Sequence, residues 1–252
     1  MKIVWITGGS TGIGFATAKH FLNHDWKVVI SSSNFKKLSS AKNKLLENSN
    51  NKEIHIYECD ISNRTKVMNT INKISNEVGN INLAILNAAA YSPNKDQKFL
   101  IENYEQLINV NLKGTLYCIE FLIEKMQNSN NRIAIVASPV GYRGLPTAAA
   151  YGMTKAGLIN LSESLFFDLQ KYKIKISLIN PGFIETESTK LNSFPMPFLK
   201  SSEYAARKIF RNLTGRYKFE IFFPWFFLIV MKILRILPYK LYFFLIKRIT
   251  KL

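Results

Sequence analysis

The sequence predicts a single doubly wound α/β domain: a parallel sheet of about seven strands, helices on both faces, and an amphipathic helical tail. Two observations carry this reading. Apolar runs of four to six residues alternate with helix-length segments, and the runs lack the polar alternation of a half-exposed sheet. A glycine-rich turn follows the first run directly, where a doubly wound sheet opens its first helix.

The elements follow in order. Ile3–Ile6 is the first strand, entered straight from Met1 and Lys2, and Phe15–Asn23 the first helix. Lys27–Ser31 and Glu53–Glu58 read as the next strands, separated by the helical period of Phe35–Glu47. Arg64–Val78 is helical and leads to the strand Leu83–Asn87. Ile133–Ser138 and Lys175–Ile179 complete the legible strands, with the helix Tyr151–Gln170 between them. No repeat or Ser/Gly-rich linker divides the chain, so residues 1–218 are expected to form one catalytic domain. From about Phe219 the alternation gives way to aromatic-rich helix, and residues 219–252 are expected to form the hydrophobic, basic tail.

Composition narrows the function. A chain of 252 residues, 47% hydrophobic, can bury a core without disulfides or metal staples. Cys59 and Cys118 form no disulfide framework and no C-x-x-C pair. His20, His24 and His55 are the only histidines, so no metal site is expected. The formal charge of +17 raises a nucleic-acid partner. Its distribution argues otherwise: residues 205–252 hold eleven Lys and Arg against one acid, Glu220, within the densest aromatic run. Cationic and apolar character rising together point to an anionic membrane surface and not to nucleic acid. With no signal peptide ahead of Ile3, the expected location is cytoplasmic, peripheral on the membrane's cytoplasmic face.

The first turn reads Thr7-Gly8-Gly9-Ser10-Thr11-Gly12-Ile13-Gly14. Glycines there permit a tight turn and close approach of backbone to a pyrophosphate, which the following helix N-terminus attracts. Tyr151 and Lys155 stand four apart on a predicted helix and share one face. An ammonium beside a phenol lowers its pKa and fits it for proton transfer. Ser138, thirteen residues before Tyr151, ends a strand at the edge where α/β sites are built.

These residues resemble the short-chain dehydrogenase/reductase family. The resemblance runs through Thr7–Gly14, Asp60, Leu86-Asn87-Ala88-Ala89, Asn111-Leu112-Lys113-Gly114, Ser138, Tyr151–Lys155 and Pro181–Thr186, covering roughly residues 3 to 190 in the family's order. One departure is Ala89, where the family usually has Gly, beside the adenosine.

The resemblance implies a Rossmann-fold, NAD(P)-dependent oxidoreductase. It implies that Gly8, Ser10, Thr11, Gly12, Ile13, Gly14, Ser33, Asp60, Ile61, Asn87, Ala88, Pro181, Gly182, Ile184 and Thr186 hold the dinucleotide, together with Tyr151 and Lys155. Tyr151 would donate a proton to a substrate carbonyl as hydride arrives, and Ser138 would orient the same oxygen. Lys155 would tune Tyr151 and hold the nicotinamide ribose, while Asn111 would hold a water that replenishes the proton. A homodimer or homotetramer is also implied.

The second strand ends in Ser31-Ser32-Ser33-Asn34, with Lys36 and Lys37 beyond and no Asp or Glu to claim a ribose diol. This favours NADPH/NADP+, with NADH/NAD+ as the alternative. The family's usual NADP-selecting Arg is absent, Ser33 standing near its place, and the two lysines also read as a solvated helix face.

Gly141–Pro146 and Phe183 with Phe194–Phe198 are expected to wall an apolar pocket, Arg143 either facing solvent or placing a charge in that pocket. Ile221–Met231 is eleven residues without a charge, about 16 Å as a helix and half a bilayer's apolar core. An interfacial anchor is therefore preferred to a spanning helix, the competing reading being a lid or dimer-contact helix packed on the domain. An anchored enzyme would take a small, lipophilic carbonyl substrate such as a long-chain 3-keto lipid. An NAD-dependent alcohol dehydrogenase and a catalytically silent dinucleotide-binding scaffold are the competing functions.

Overall fold

A computed structural model of the chain describes residues 1–252 except 48, 94–97, 128, 193–194 and 251–252. It contains a seven-stranded, all-parallel sheet in the order β3-β2-β1-β4-β5-β6-β7. The strands are β1 (Ile3–Thr7), β2 (Lys27–Ser32), β3 (Ile54–Glu58), β4 (Leu83–Leu86), β5 (Arg132–Val136), β6 (Lys175–Pro181) and β7 (Glu220–Phe223). The helices are α1 (Gly12–Leu22), α2 (Phe35–Glu47), α3 (Arg64–Glu77), α4 (Ile101–Leu107), α5 (Gly114–Met126), α6 (Ala149–Asp168), α7 (Ser202–Thr214), α8 (Trp225–Ile236) and α9 (Tyr239–Thr250).

Burial on both faces explains why the strands are apolar throughout. Trp5 faces the layer of α3, α5 and α6, packing with Ile71, Leu122 and Leu158. Val4 and Ile6 face the layer of α1, α2 and α7, packing with Phe21, Leu38 and Ile209. The direction of winding reverses between β1 and β4, which pair directly and open a crevice at their C-terminal ends.

The C-terminal segment differs from the expected tail. Its first residues are not helical: Glu220–Phe223 form β7, paired in parallel with β6 in the register Ile179↔Ile221 and Pro181↔Phe223. Ile221 and Phe223 are buried against the α1/α7 layer, so period-two burial prevails over the run of apolar residues. Pro224, which cannot donate to a ladder, then stands as the N-cap of α8. Helices α8 and α9 each bury one stripe, Leu228 with Met231 and Tyr242 with Ile246. Among the described residues no helix is long and apolar enough to cross a membrane.

Candidate active site

Helix α1 starts at Gly12, three residues before the expected boundary, so the glycine turn supplies its first turn. Gly12 adopts φ +54°, a left-handed conformation that favours glycine. A Cβ at Gly14 would lie 2.2 Å from the carbonyl oxygen of Gly8. Thr11 is the N-cap but its side chain bonds none of the first amides, and no acid lies in the first turn. The turn is thus a bare, positively polarised cradle that fits a pyrophosphate.

Of the remaining predicted cofactor residues, Asn87, Ala88 and Thr186 border it directly. Thr7 Oγ1 accepts from the amides of Asn87 and Ala88, both at 3.0 Å, and Asn87 Nδ2 donates to the carbonyls of Thr7 and Gly8 at 3.1 and 3.2 Å. These bonds clip the end of β4 onto the glycine turn. Ala89, where the family usually has Gly, has no left-handed backbone, and Ala90 after it bonds Asn111 through both main-chain groups. Asp60 holds Ser62 at the end of β3, and Ile61 packs on Gly114. Pro181 closes β6, Gly182 donates to the carbonyl of Phe223 at 2.8 Å, and Ile184 is buried in a bridge with Lys200. Thr186 roofs the turn, its Cγ2 lying 3.1 Å from where a Cβ on Gly12 would stand.

The end of β2 is less open than its sequence. Ser31 is buried and accepts the indole N–H of Trp5 at 3.1 Å. Ser10 donates to Ser32 at 3.2 Å, and Asn34 Oδ1 accepts from the amide of Lys37, capping α2. Lys37 pairs with Glu187 across the crevice. Ser33 and Lys36 beside them are exposed.

Asn111 sits in a π-helical turn, Ile108–Lys113, between α4 and α5. It is buried, donating to Ala90 O and Thr154 Oγ1, both at 3.1 Å, and accepting from Ala90 N at 2.8 Å. Ser138 follows β5, its hydroxyl accepting from the amide of Val140 at 3.4 Å, and stands by the Tyr151 phenol of α6. Lys155, buried one turn later, lies 5.5 Å from the Tyr151 ring centroid and donates to Val136 O at 2.9 Å. The four predicted catalytic residues therefore stand together at the carboxyl edge of the sheet. Burial raises the Tyr151 phenol well above its ordinary value, Tyr91 raises it further, and Ser138 opposes both. Burial pushes the Lys155 ammonium down to about 8.

Three features escaped sequence reading. Tyr91 packs edge-on against Tyr151, with ring centroids 4.8 Å apart, and bonds Asn192. Arg143 does not face solvent: its guanidinium binds main-chain carbonyls at the end of α8. Tyr142 is buried and joined to Glu220 on β7. No spacing or motif marks any of them, since each contact is set by tertiary packing. Of the expected pocket wall, Phe194 lies outside the described residues, while Phe183 and Phe198 both pack on Phe227 of α8.

The family model for short chain dehydrogenases matches residues 2–194. The chain belongs to this family. As a short-chain dehydrogenase it is an oxidoreductase, and its relatives carry reductase names. It is 34% identical over 193 residues to the 3-oxoacyl-(acyl-carrier-protein) reductase FabG of Rickettsia prowazekii, covering 76% of each chain. The solved structure of ElxO with NADP bound is 27% identical, with a TM-score of 0.77 over 88% of this chain and 97% of that one. A variant of actinorhodin polyketide ketoreductase with NADPH shares the fold at 17% identity, with a TM-score of 0.79 over 88% and 95% of the chains.

Proposed function

We propose that this short-chain dehydrogenase uses NADP(H) to reduce a carbonyl on a lipophilic substrate, and in reverse to oxidise the alcohol. The observation that carries the reading is the buried Tyr151 phenol with Ser138 beside it and the Lys155 ammonium 5.5 Å from its ring, next to a cradle shaped for a dinucleotide. The bound dinucleotide supplies the hydride. A phenol raised by burial stays protonated at neutral pH, so Tyr151 holds the proton for the substrate oxygen. Ser138 orients that oxygen, and the charged form of Lys155 stabilises the phenolate left behind. Asn111 spends its side chain on Ala90 and Thr154, so any water it holds sits on its main-chain carbonyl, shared with Thr115 Oγ1 at 2.8 Å.

NADP(H) is supported by exposed Ser33 and Lys36 and by the NADP(H) named for both structural relatives. NAD(H) is the second reading, favoured by Glu58, which ends β3 in register with Ser32. A lipophilic substrate is supported by the Phe183, Phe198 and Phe227 cluster next to Gly182. Membrane association is supported by the outer faces of α8 and α9: Ile236 is 80% and Phe244 59% exposed, among the cations Arg235, Lys240, Lys247 and Arg248. A homodimer or homotetramer is supported by exposed Leu116 and Phe167 on α5 and α6.

A carbonyl library read by NADPH and NADH oxidation tests the chemistry. Tyr151→Phe should lower turnover by about two or more orders of magnitude with NADPH affinity nearly unchanged. Turnover within a few-fold of the parent would remove Tyr151 from its role, and tighter NAD+ than NADP+ binding would reverse the cofactor preference.

A further inference from the structure

The loop that joins Ser138 to Tyr151 is fastened to the C-terminal segment at three consecutive residues, Tyr142, Arg143 and Gly144. The Tyr142 hydroxyl donates to Glu220 Oε1 and accepts from Asn180 Nδ2 at 3.0 Å, and Lys232 of α8 completes the cluster on Glu220. Arg143 Nη1 is shared among the carbonyl oxygens of Leu234, Arg235 and Leu237 at 3.1, 2.6 and 2.7 Å. Its guanidinium also lies 4.7 and 4.3 Å from the ring centroids of Tyr239 and Tyr242, and Tyr242 donates its hydroxyl to Gly144 O.

The chemistry of this joint is that of a helix cap. Helix α8 ends at Ile236, and its last carbonyls have no partner within the helix. A cation there also meets the negative end of the helix dipole. The other side of the loop leans on the catalytic helix, since a Cβ on Gly141 would lie 2.6 Å from the main-chain carbon of Lys155. Residues 138–144 are thus a plate, with Ser138 and the Tyr151/Lys155 helix on one side and α8 and α9 on the other.

We propose that Arg143 is a positioning residue: by capping α8 from the Ser138 loop, it makes the C-terminal helices a brace for the substrate side of the active site. The inference rests on the assignment of Ser138 and Tyr151 above. On this reading the C-terminal end of α8 and the start of α9, which Arg143 holds, contribute to turnover without touching substrate. A planar guanidinium that binds several carbonyls while lying over two aromatic rings is not replaced by an ammonium.

The test uses the full chain, with Arg143→Ala, Arg143→Lys and Tyr242→Phe, and measures kcat, KM, NADPH affinity and melting temperature. Displacement of a positioned group costs rate more than binding, so Arg143→Ala should lose about tenfold or more in kcat with NADPH affinity within about twofold. Arg143→Lys should recover only a small part of the loss. Tyr242→Phe, which keeps the ring, should lose several-fold in kcat. A kcat for Arg143→Ala within about twofold of the parent overturns the proposal. So does a loss of kcat matched by equal losses in NADPH affinity and folded fraction, which would mark a merely structural contact. If Arg143→Ala does not fold, Tyr242→Phe decides, and parent-like kcat there overturns it. Tyr151→Phe measured alongside separates the two failures, because its parent-like turnover would sink the proposed chemistry itself.

Discussion

Gly141 offers a sharp test of how the Ser138 loop meets the catalytic helix. A Cβ there would stand 2.6 Å from the carbonyl carbon of Lys155, 2.8 Å from the amide nitrogen of Ala156 and 2.8 Å from Ile159 Cδ1. The first two are backbone atoms and cannot rotate away. The closest falls about 0.8 Å short of ordinary van der Waals contact at 3.4 Å, so α6 or the loop must shift by that order. Overpacking of this kind costs about 1–3 kcal/mol. For a domain of this length that lowers Tm by about 2–12 °C. Rate should suffer more, because the displaced segment carries Lys155, whose Nζ lies 2.9 Å from Val136 O. A misplacement approaching 1 Å costs up to about a hundredfold, so Gly141→Ala should lower kcat by about ten- to a hundredfold. The glycine turn is elsewhere, and NADPH affinity should change by less than about fivefold. Gly144→Ala is the control: among the described residues nothing lies within 4 Å of its added Cβ, and it should stay within about 0.5 kcal/mol of the parent. Calorimetry and steady-state NADPH oxidation read both quantities. Equal melting of the two variants, with Gly141→Ala turning over within twofold of the parent, would refute the argument.

The other predictions concern pH, the edge strand and the tail. Burial lowers the Lys155 ammonium to about 8, so it is charged below that pH and neutral above it. The kcat/KM for reduction should therefore fall as pH rises through about 8, and a profile still flat near pH 9 would contradict this. A chain ending at Arg216 loses β7, bares the edge of β6 and removes buried Ile221 and Phe223. It should aggregate or fail to bind NADPH, whereas a soluble, cofactor-binding product would show that β7 is dispensable. The full chain should sediment with anionic vesicles, release partly at high salt and fully only with detergent, since only the ionic contribution is screened. Ile233→Asp combined with Phe244→Asp should weaken that binding, and a parent protein left in the supernatant at low salt would end the membrane reading.

Much of the fold and site was legible because its signals are local. Strands buried on both faces are written as unbroken apolar runs, so the cores of β1 to β6 were found with boundaries one or two residues off. Tyr151 and Lys155 sit one helical turn apart, and the glycine turn carries its own stereochemistry. β7 was hidden because three of its four residues open a longer apolar run, and periodicity cannot separate a short strand from a buried helix segment. At the end of β2 the hydroxyls were visible but not their partners: Trp5 claims Ser31, and Asn34 caps α2. Arg143 was hidden for the same reason, since its acceptors lie more than ninety residues away along the chain.

The place of β7 at the sheet's rim also bears on how the enzyme comes into being on the ribosome. Synthesis proceeds from the N-terminus, so the glycine turn, Tyr151 and Lys155 are all made before the strand that covers β6 emerges. Until residue 223 is free of the exit tunnel, the rim of β6 presents unpaired main-chain groups. Arg143 must wait longer still for the helix end that it caps. A nascent chain can thus carry every motif of its family and not yet be an enzyme, and the interval between those two moments is when aggregation competes with maturation.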